Sequence, residues 1–395
     1  MRIKIKSIRE ADNLAGKKIF LRADFNVPLK TRGGKVIIKD DYKIVRGLQT
    51  IRFLLRYKCR IVIATHLGSP KSKSRHYSTK PIATKLEKLL GVKVNFVNDC
   101  IGLKTGTVVG KMKEKSIVLL ENLRFYPEEK SNDKKFAQEL AKLADIYVNN
   151  AFAVSHRKHA SVAAIKKFLP SYAGLLLEEE ITNLGRVLVP EKPLIVIMGG
   201  SKISTKIHLL DKLYSKAFRV LVGGALANNF LLAHNFEIGE SLIDEESLEI
   251  AKKLRHRRKI LVPIDVAVRD KSSNKVGVKN IKHLSNKDII FDIGPKTVNL
   301  YSTFIRQAKT IIWNGPMGMF ESPKFKYGTI AIAEQIAYAA QRKAFAVAGG
   351  GETVESLKKA KLIHLLDWVS TGGGAMLAFL GKEKMPGLEG IVKFS

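Results

Sequence analysis

The sequence predicts an α/β protein of two domains built on parallel sheets, and three observations carry that prediction. Short β-branched runs alternate with longer segments of 3.6-residue apolar period, the pattern of strands that cross over through helices. At 395 residues the chain exceeds what one hydrophobic core fills. A helical stretch, Pro170–Leu188, followed by Pro190 and Pro193, lies near the middle and reads as a boundary with a connecting helix.

The elements follow in order. Lys18–Ala23 reads as a strand, and Asp40 or Asp41 caps a helix whose apolar face is Ile44, Leu48, Ile51 and Leu55. Then come strand Arg60–Ala64, helix Pro81–Leu90, strands Val92–Val97 and Ile117–Leu120, helix Asp133–Leu143 and strand Asp145–Val148. Polar clusters close these strands: Arg22, Asp24 and Asn26; Thr65, His66 and Gly68; Glu121, Asn122 and Arg124; Asn149 and Asn150, then Ser155 to His159. All lie at carboxyl ends, where open α/β sheets bind ligands. A crevice so rich in Arg and His suits a small phosphorylated or carboxylated molecule, which arginine grips with two parallel hydrogen bonds.

In the connecting helix Leu177, Ile181, Leu184 and Leu188 share a face, beside Glu178-Glu179-Glu180. The strands after it end in glycine: Leu194–Met198 runs into Gly199-Gly200-Ser201-Lys202, Arg219–Val222 into Gly223-Gly224, and Thr310–Trp313 into Asn314-Gly315-Pro316. Ile260–Val262 leads to Pro263. Two glycine triplets, Gly349 to Gly351 and Gly372 to Gly374, each follow an apolar run and open onto a helix start. Such junctions leave backbone N–H groups bare and aim them, with the helix dipole, at an anion. Lys202 and Lys206 sit four apart at a helix start, where the dipole disfavours lysine, so they read as functional. Neither a P-loop string nor a Gly-x-Gly-x-x-Gly fingerprint after the first strand occurs. The phosphate cradle is of another type.

Composition bounds the setting. Sixty-nine Lys and Arg against 36 Asp and Glu leave a formal charge of +33, which favours anionic partners. The lysines are scattered without interleaved aromatics, so a solvated basic surface is expected rather than a nucleic-acid platform. No apolar run approaches a membrane span and no secretory segment opens the chain. Cys59 and Cys100 are too few for a disulfide framework, and no Cys/His group has zinc spacing. A reduced, cytoplasmic protein without membrane or nucleic-acid partner is expected.

Nine strings then carry a resemblance: Arg22-Ala-Asp-Phe-Asn-Val-Pro28, His66-Leu-Gly68, Glu121-Asn-Leu-Arg-Phe125, His156-Arg-Lys-His159, Gly199-Gly-Ser-Lys-Ile-Ser-Thr-Lys206, Asp292-Ile-Gly-Pro295, Trp313-Asn-Gly-Pro-Met-Gly318, Gly349-Gly-Gly-Glu-Thr353 and Ser370-Thr-Gly-Gly-Gly-Ala375. In this order, over nearly the whole chain, they resemble the signature strings of the phosphoglycerate kinases. The resemblance implies two Rossmann-like domains, 1–169 for 3-phosphoglycerate and 190–370 for nucleotide. It also implies a hinge helix at 170–189 and a C-terminal segment, 371–395, packing back on the N-terminal domain. The implied reaction is reversible, Mg²⁺-dependent phosphoryl transfer from 1,3-bisphosphoglycerate to ADP, giving 3-phosphoglycerate and ATP, with domain closure and a monomeric enzyme.

Implied substrate residues are Asp24, Phe25, Asn26, Lys43, His66, Leu67, Gly68, Ser69, Arg124 and Arg157. Implied nucleotide residues are Lys202, Lys206, Asn314, Glu321, Gly350, Gly351, Glu352 and Thr353, with Glu352 toward Mg²⁺. Lys43, Lys206, Gly350 and Gly373 are assigned to the transfer step. The chain also departs from the pattern. Lys43 stands where a catalytic arginine is usual, with Arg46 a possible helper one turn on. Ser69 replaces another arginine, leaving Lys71 or Lys73 to compensate, and Glu352 and Asn150 stand for aspartates. Lysine keeps the charge and loses the planar fork. Because Lys43 and Ser69 sit in the substrate crevice, an acyl-phosphate kinase for another carboxylate is the rival enzyme. A nucleic-acid-binding relative is the rival suggested by charge.

Overall fold

The computed structural model describes residues 3–201 and 203–394. The chain divides into two compact units: one runs up to Thr182 and is completed by the chain from Lys384 onward, and the other is Asn183–Glu383. Each is organised on a six-stranded parallel sheet. Among the described residues no helix is long and apolar enough to cross a membrane.

In the first unit the strand order is Val94–Val97, Ile117–Leu120, Arg60–Ala64, Lys18–Ala23, Ile146–Asn150, Ser171–Ala173. The strands are nearly continuous apolar runs, as a sheet covered on both faces requires. Ile19, Leu21, Ile61, Ile63 and Val148 join one core with Ile44, Leu48, Ile51 and Leu54 of the helix Tyr42–Arg56. Leu54, rather than the expected Leu55, is the buried residue of that last turn; Leu55 is half-buried at the edge of the core. Asp40 accepts the Tyr42 N–H at 2.8 Å, while Asp41 pairs with Lys85 at 2.7 Å.

Pro170–Leu188 is not one helix. Ser171–Ala173 pairs in parallel with Tyr147–Asn149 as an edge strand, and the helix is Leu175–Leu188. Sheet pairing wins because the chain must leave Pro170 extended beside an open edge, and Gly174 N–H is taken by Asn149 O at 2.8 Å. The helix begins in the first unit and ends in the second.

The expected return of the chain at 371 also differs. Gly373–Leu380 is a helix of the second unit, packed on the helix Ile203–Tyr214. The return begins at Lys384, where Val392–Phe394 pairs antiparallel with Ile3–Ile5. Gly373–Leu380 is apolar nearly all round, and its Ala375 to Leu380 are buried where it lies.

The second unit's sheet runs Ile260–Leu261, Arg219–Val222, Leu194–Met198, Thr310–Asn314, Phe345–Gly349, Trp368–Ser370. Its order reverses between Leu194–Met198 and Thr310–Asn314, so a topological switch point falls where Gly199 and Gly315 leave the sheet. A separate antiparallel sheet of Val276–Asn280, Asp265–Asp270 and Asp288–Ile293 stands beside it.

Candidate active site

In the first unit the polar residues that close the strands meet. Lys43, in the first turn of its helix, bonds Asp24 Oδ2 at 2.6 Å. Burial alone would raise the Asp24 carboxyl; the charges of Lys43 and Arg22, with the Lys43 hydrogen bond, outweigh it and hold its pKa well below the carboxylate range. His66 Nδ1 lies 3.4 Å from Arg22 and 3.6 Å from Asp24 Oδ1. Burial keeps this imidazole neutral, well below its ordinary pKa, against the pull of Asp24. Arginine can only donate, so Nδ1 is the acceptor and the ring proton sits on Nε2. Arg22 is fully buried and is held by Ser161 Oγ at 2.8 Å and by Glu129 at 4.0 Å.

The loop after Arg60–Ala64 is braced. Gly68 N–H donates to Asn26 Oδ1 at 2.8 Å, Leu67 exchanges hydrogen bonds with the Asn122 amide, and Arg124 donates to Gly68 O. Arg124 Nε has no partner among the described residues. Burial and the nearby charges of Arg157 and Arg22 lower the Arg124 guanidinium to about 10. Positive charge thus gathers here beyond what the carboxylates neutralise. An anion belongs in the gap.

In the second unit, Lys206 in the first turn of Ile203–Tyr214 is buried and donates to Gly199 O at 2.5 Å. A Cβ on Gly200 would fall 2.6 Å from Lys206 Nζ and 3.1 Å from Glu352 Oε2, so cation and carboxylate flank one bare stretch of backbone. A cavity of about 300 Å³ opens there, lined by Gly200, Gly224, Leu242, Val266, Met317 and Glu321, with Glu352 at its rim. Apolar walls with few polar groups suit a flat base and a ribose; Lys206 and the glycine turns suit its phosphates. The two triplets meet backbone to backbone: a Cβ on Gly373 would lie 2.8 Å from Gly350 Cα, and Gly350 has φ +104°. Both open helices, Gly351–Lys359 and Gly373–Leu380, whose first N–H groups are unspent.

Asp24, Asn26, Lys43, His66, Gly68, Arg124 and the exposed Arg157 gather in the first unit, and Lys206, Gly350, Gly351, Gly373, Glu321 and Glu352 in the second. The side chains of Phe25 and Leu67 lie in the hydrophobic core and can offer a ligand only main chain. Asn314 and Thr353 are buried and bond inward, Asn314 Nδ2 to Gly349 O at 2.7 Å and Thr353 Oγ1 from Gly315 N–H at 2.7 Å; they shape the turns. Ser69 is exposed and bonds Lys130 at 3.2 Å. Arg46 pairs with Glu179 at 3.3 Å. Lys202 lies outside the described residues.

Sequence reasoning missed most of the cavity's far wall, Val266 and Ile289 to Phe291 of the antiparallel sheet, although Asp265-Val-Ala-Val-Arg-Asp270 alternates as a strand should. It also missed Glu129, fully buried between Arg22, His159 and Ser161, which no local pattern announces.

Mg²⁺ held with a nucleotide needs one or two protein carboxylates, the phosphates supplying the rest. Glu352 beside Lys206 fits that role, and among the described residues no group of three or more His, Cys, Asp or Glu forms a self-contained metal site.

The phosphoglycerate kinase family model matches residues 8–383. Phosphoglycerate kinase of Pelotomaculum thermopropionicum is 40% identical over 396 residues, covering 98% of this chain and 99% of that protein. That of Dictyoglomus turgidum is 42% identical over 392 residues, 97% of each. The solved structure of phosphoglycerate kinase from Coxiella burnetii superposes with a TM-score of 0.84 at 37% identity, covering 98% of both chains. With the signature strings gathered in two sites and the match running end to end, the chain belongs to the phosphoglycerate kinase family.

Proposed function

We propose that the crevice of Asp24, Asn26, Lys43, His66, Gly68, Ser69, Arg124 and Arg157 holds 3-phosphoglycerate or its acyl phosphate, and that the cavity beside Lys206 holds ADP or ATP. Glu321 faces the ribose, and Gly350, Gly351 and Gly373 present N–H groups to phosphate. The family's reaction, which this chain catalyses, is reversible phosphoryl transfer from 1,3-bisphosphoglycerate to ADP with Mg²⁺. The observation that carries the site assignment is Lys206, a buried cation among glycine turns at the sheet's switch point.

The chemistry asks little covalent work. The bond broken joins phosphorus to the C1 carboxyl oxygen, and the bond formed joins it to a β-phosphate oxygen of ADP. A carboxylate leaves without needing a proton, so neither a general acid nor a general base is required. That accords with His66 held neutral as an Nε2–H donor, and with Asp24 held ionised to orient Lys43. What remains is to hold two anions in line and offset charge on the three equatorial oxygens, by fixed cations and N–H groups. Lys43 and Lys206 supply point charges, and the glycine triplets supply dipoles. Glu352 is the carboxylate that would hold Mg²⁺ with the nucleotide, and the ion would supply further charge neutralisation at phosphate oxygens.

Lys206→Met tests the assignment in a coupled assay with Mg-ATP and 3-phosphoglycerate. Turnover is expected to fall about 10²–10³-fold, as when one preorganised donor is removed. Retention within threefold would remove Lys206 from the transfer step. One chain carries both a substrate crevice and a nucleotide cavity, so we place it as a monomer, checked by sedimentation. Its two free, buried cysteines suit a reducing cytoplasm; burial pushes the Cys59 thiol up to about 11.

A further inference from the structure

We propose that Lys130 is a further substrate-binding residue, a cation that serves the phosphate of 3-phosphoglycerate beside Arg124 and Arg157; the inference rests on the crevice assignment above. Lys130 Nζ donates to Ser69 Oγ at 3.2 Å. The preceding carbonyl, Gly68 O, accepts from Arg124. Two consecutive residues of one loop therefore each carry a cation, reaching in from different elements, Leu123–Phe125 and Pro127–Ser131.

The position of Lys130 is fixed from behind. Its neighbour Glu129 is fully buried and accepts from Ser161 N–H at 2.9 Å and Ser161 Oγ at 2.6 Å, with His159 at 3.8 Å and Arg22 at 4.0 Å. Glu129 turns inward, so the next residue of the short helix turns outward over Ser69. The acidic residue beside Lys130 is thereby spent on Arg22 and does not neutralise it. Among the described residues no carboxylate lies within salt-bridge distance of Lys130. Its one polar partner is an uncharged hydroxyl.

Arg124, Arg157 and Lys130 thus bring to one loop more positive charge than the nearby Asp24 and Glu129 carboxylates offset; Arg157 is near enough to depress the Arg124 guanidinium. Like charges gathered in excess of their counter-charge store repulsion that an anion of two negative charges relieves. A phosphate monoester offers three acceptor oxygens, enough for three cationic donors. Lysine does here, from a neighbouring element, what a longer side chain at position 69 would do from the loop itself.

Lys130→Met is the test. KM for 3-phosphoglycerate is expected to rise about three- to tenfold, the loss of one charge-assisted hydrogen bond at a partly solvated site, with KM for Mg-ATP unchanged. Lys130→Arg should restore KM to within twofold. Thermal stability of Lys130→Met should equal wild type, because the side chain is exposed. Lys130→Gln separates direct binding from bracing: its amide can still donate to Ser69 Oγ without the charge, so if Lys130 acts only by holding the loop, Lys130→Gln will keep the wild-type KM, and the proposal falls. It also falls if Lys130→Met leaves KM for 3-phosphoglycerate within twofold while Arg124→Gln raises it. If Arg124→Gln and Arg157→Gln leave KM unmoved as well, the crevice assignment itself is wrong.

Discussion

At the scale of single residues, each charged group in the two sites is explained by its neighbour. Lys43 sits at a helix start that repels it, and Asp24 holds it there at 2.6 Å. The pair leaves a point charge aimed into the crevice, without the fork of an arginine. Lys43→Met is expected to lower kcat at least about tenfold with nucleotide KM unchanged, as for an interaction made in the transition state; equal kcat would mean that Lys43 merely neutralises Asp24. Asp292 shows the opposite balance. Its carboxylate accepts Gly328 N–H at 2.6 Å and Ile293 N–H at 2.9 Å, yet burial wins and pushes its pKa up to about 7. The group is protonated more readily folded than unfolded. Its stabilisation is therefore complete below the unfolded value of 3.8 and is lost as pH rises through about 7. Wild type should unfold at lower temperature at pH 8 than at pH 6, and Asp292→Asn should flatten that slope. A slope that persists unchanged in the variant would assign the pH dependence to other groups.

At the scale of elements, the two glycine triplets act as one device. A Cβ on Gly373 would stand 2.8 Å from Gly350 Cα, and Gly350 holds a φ of +104° that L side chains avoid. Gly373→Ala must part the two helix starts by a few tenths of an ångström. We expect about 1–3 kcal/mol of lost stability, as for overpacking, and a fall in kcat larger than any rise in nucleotide KM. An unaltered kcat at wild-type stability would show that the contact tolerates a methyl group and that its tightness is incidental. This pairing was only half legible in the sequence. Glycine triplets after apolar runs announce strand-to-helix turns, and most large-sheet strands read true because β-branched runs of four to six residues are local signals. That the triplets touch is a matter of strand order, which places Phe345–Gly349 beside Trp368–Ser370 and which no local pattern encodes. The same limit hid Ser171–Ala173, whose strand state comes from an open sheet edge. It also hid Glu129, whose partners lie at positions 22, 159 and 161. Phe25 and Leu67 each stand inside a signature string, and packing sends their side chains into the core, which the strings alone do not reveal.

At the scale of the whole molecule, the last residues complete the first unit although the chain reaches them through the second. Val392–Phe394 pairs with Ile3–Ile5, and Lys6 N–H donates to Ile391 O at 2.8 Å. Lys166 Nζ bonds Pro386 O and Glu389 O at 2.6 Å each, and Asn149 Nδ2 bonds Gly387 O at 3.0 Å. Met385, Leu388, Ile391 and Val392 are buried. Gly387 N–H also bonds Ser155 O at 2.8 Å, next to His156 and Arg157, so the segment braces the loop that carries Arg157. Ending the chain after Glu383 exposes those apolar side chains and takes from Asn149 Nδ2 one of its two acceptors, leaving Ser155 Oγ at 3.1 Å. At about 1.5–3 kcal/mol for each of these four buried side chains, less the roughly 10–40% that a compact unfolded state already hides, the loss is on the order of 4–11 kcal/mol. That is a large share of a marginal total. The two tryptophans, Trp313 and Trp368, both lie in the second unit, so tryptophan fluorescence follows that unit alone while far-ultraviolet circular dichroism follows both. In the truncated chain part of the dichroism transition should move down by several degrees while the fluorescence midpoint stays. KM for 3-phosphoglycerate should rise and KM for Mg-ATP should hold. A fluorescence midpoint that falls together with the dichroism would mean that the units unfold as one. Two unmoved midpoints would mean that the segment contributes little to the first unit's stability.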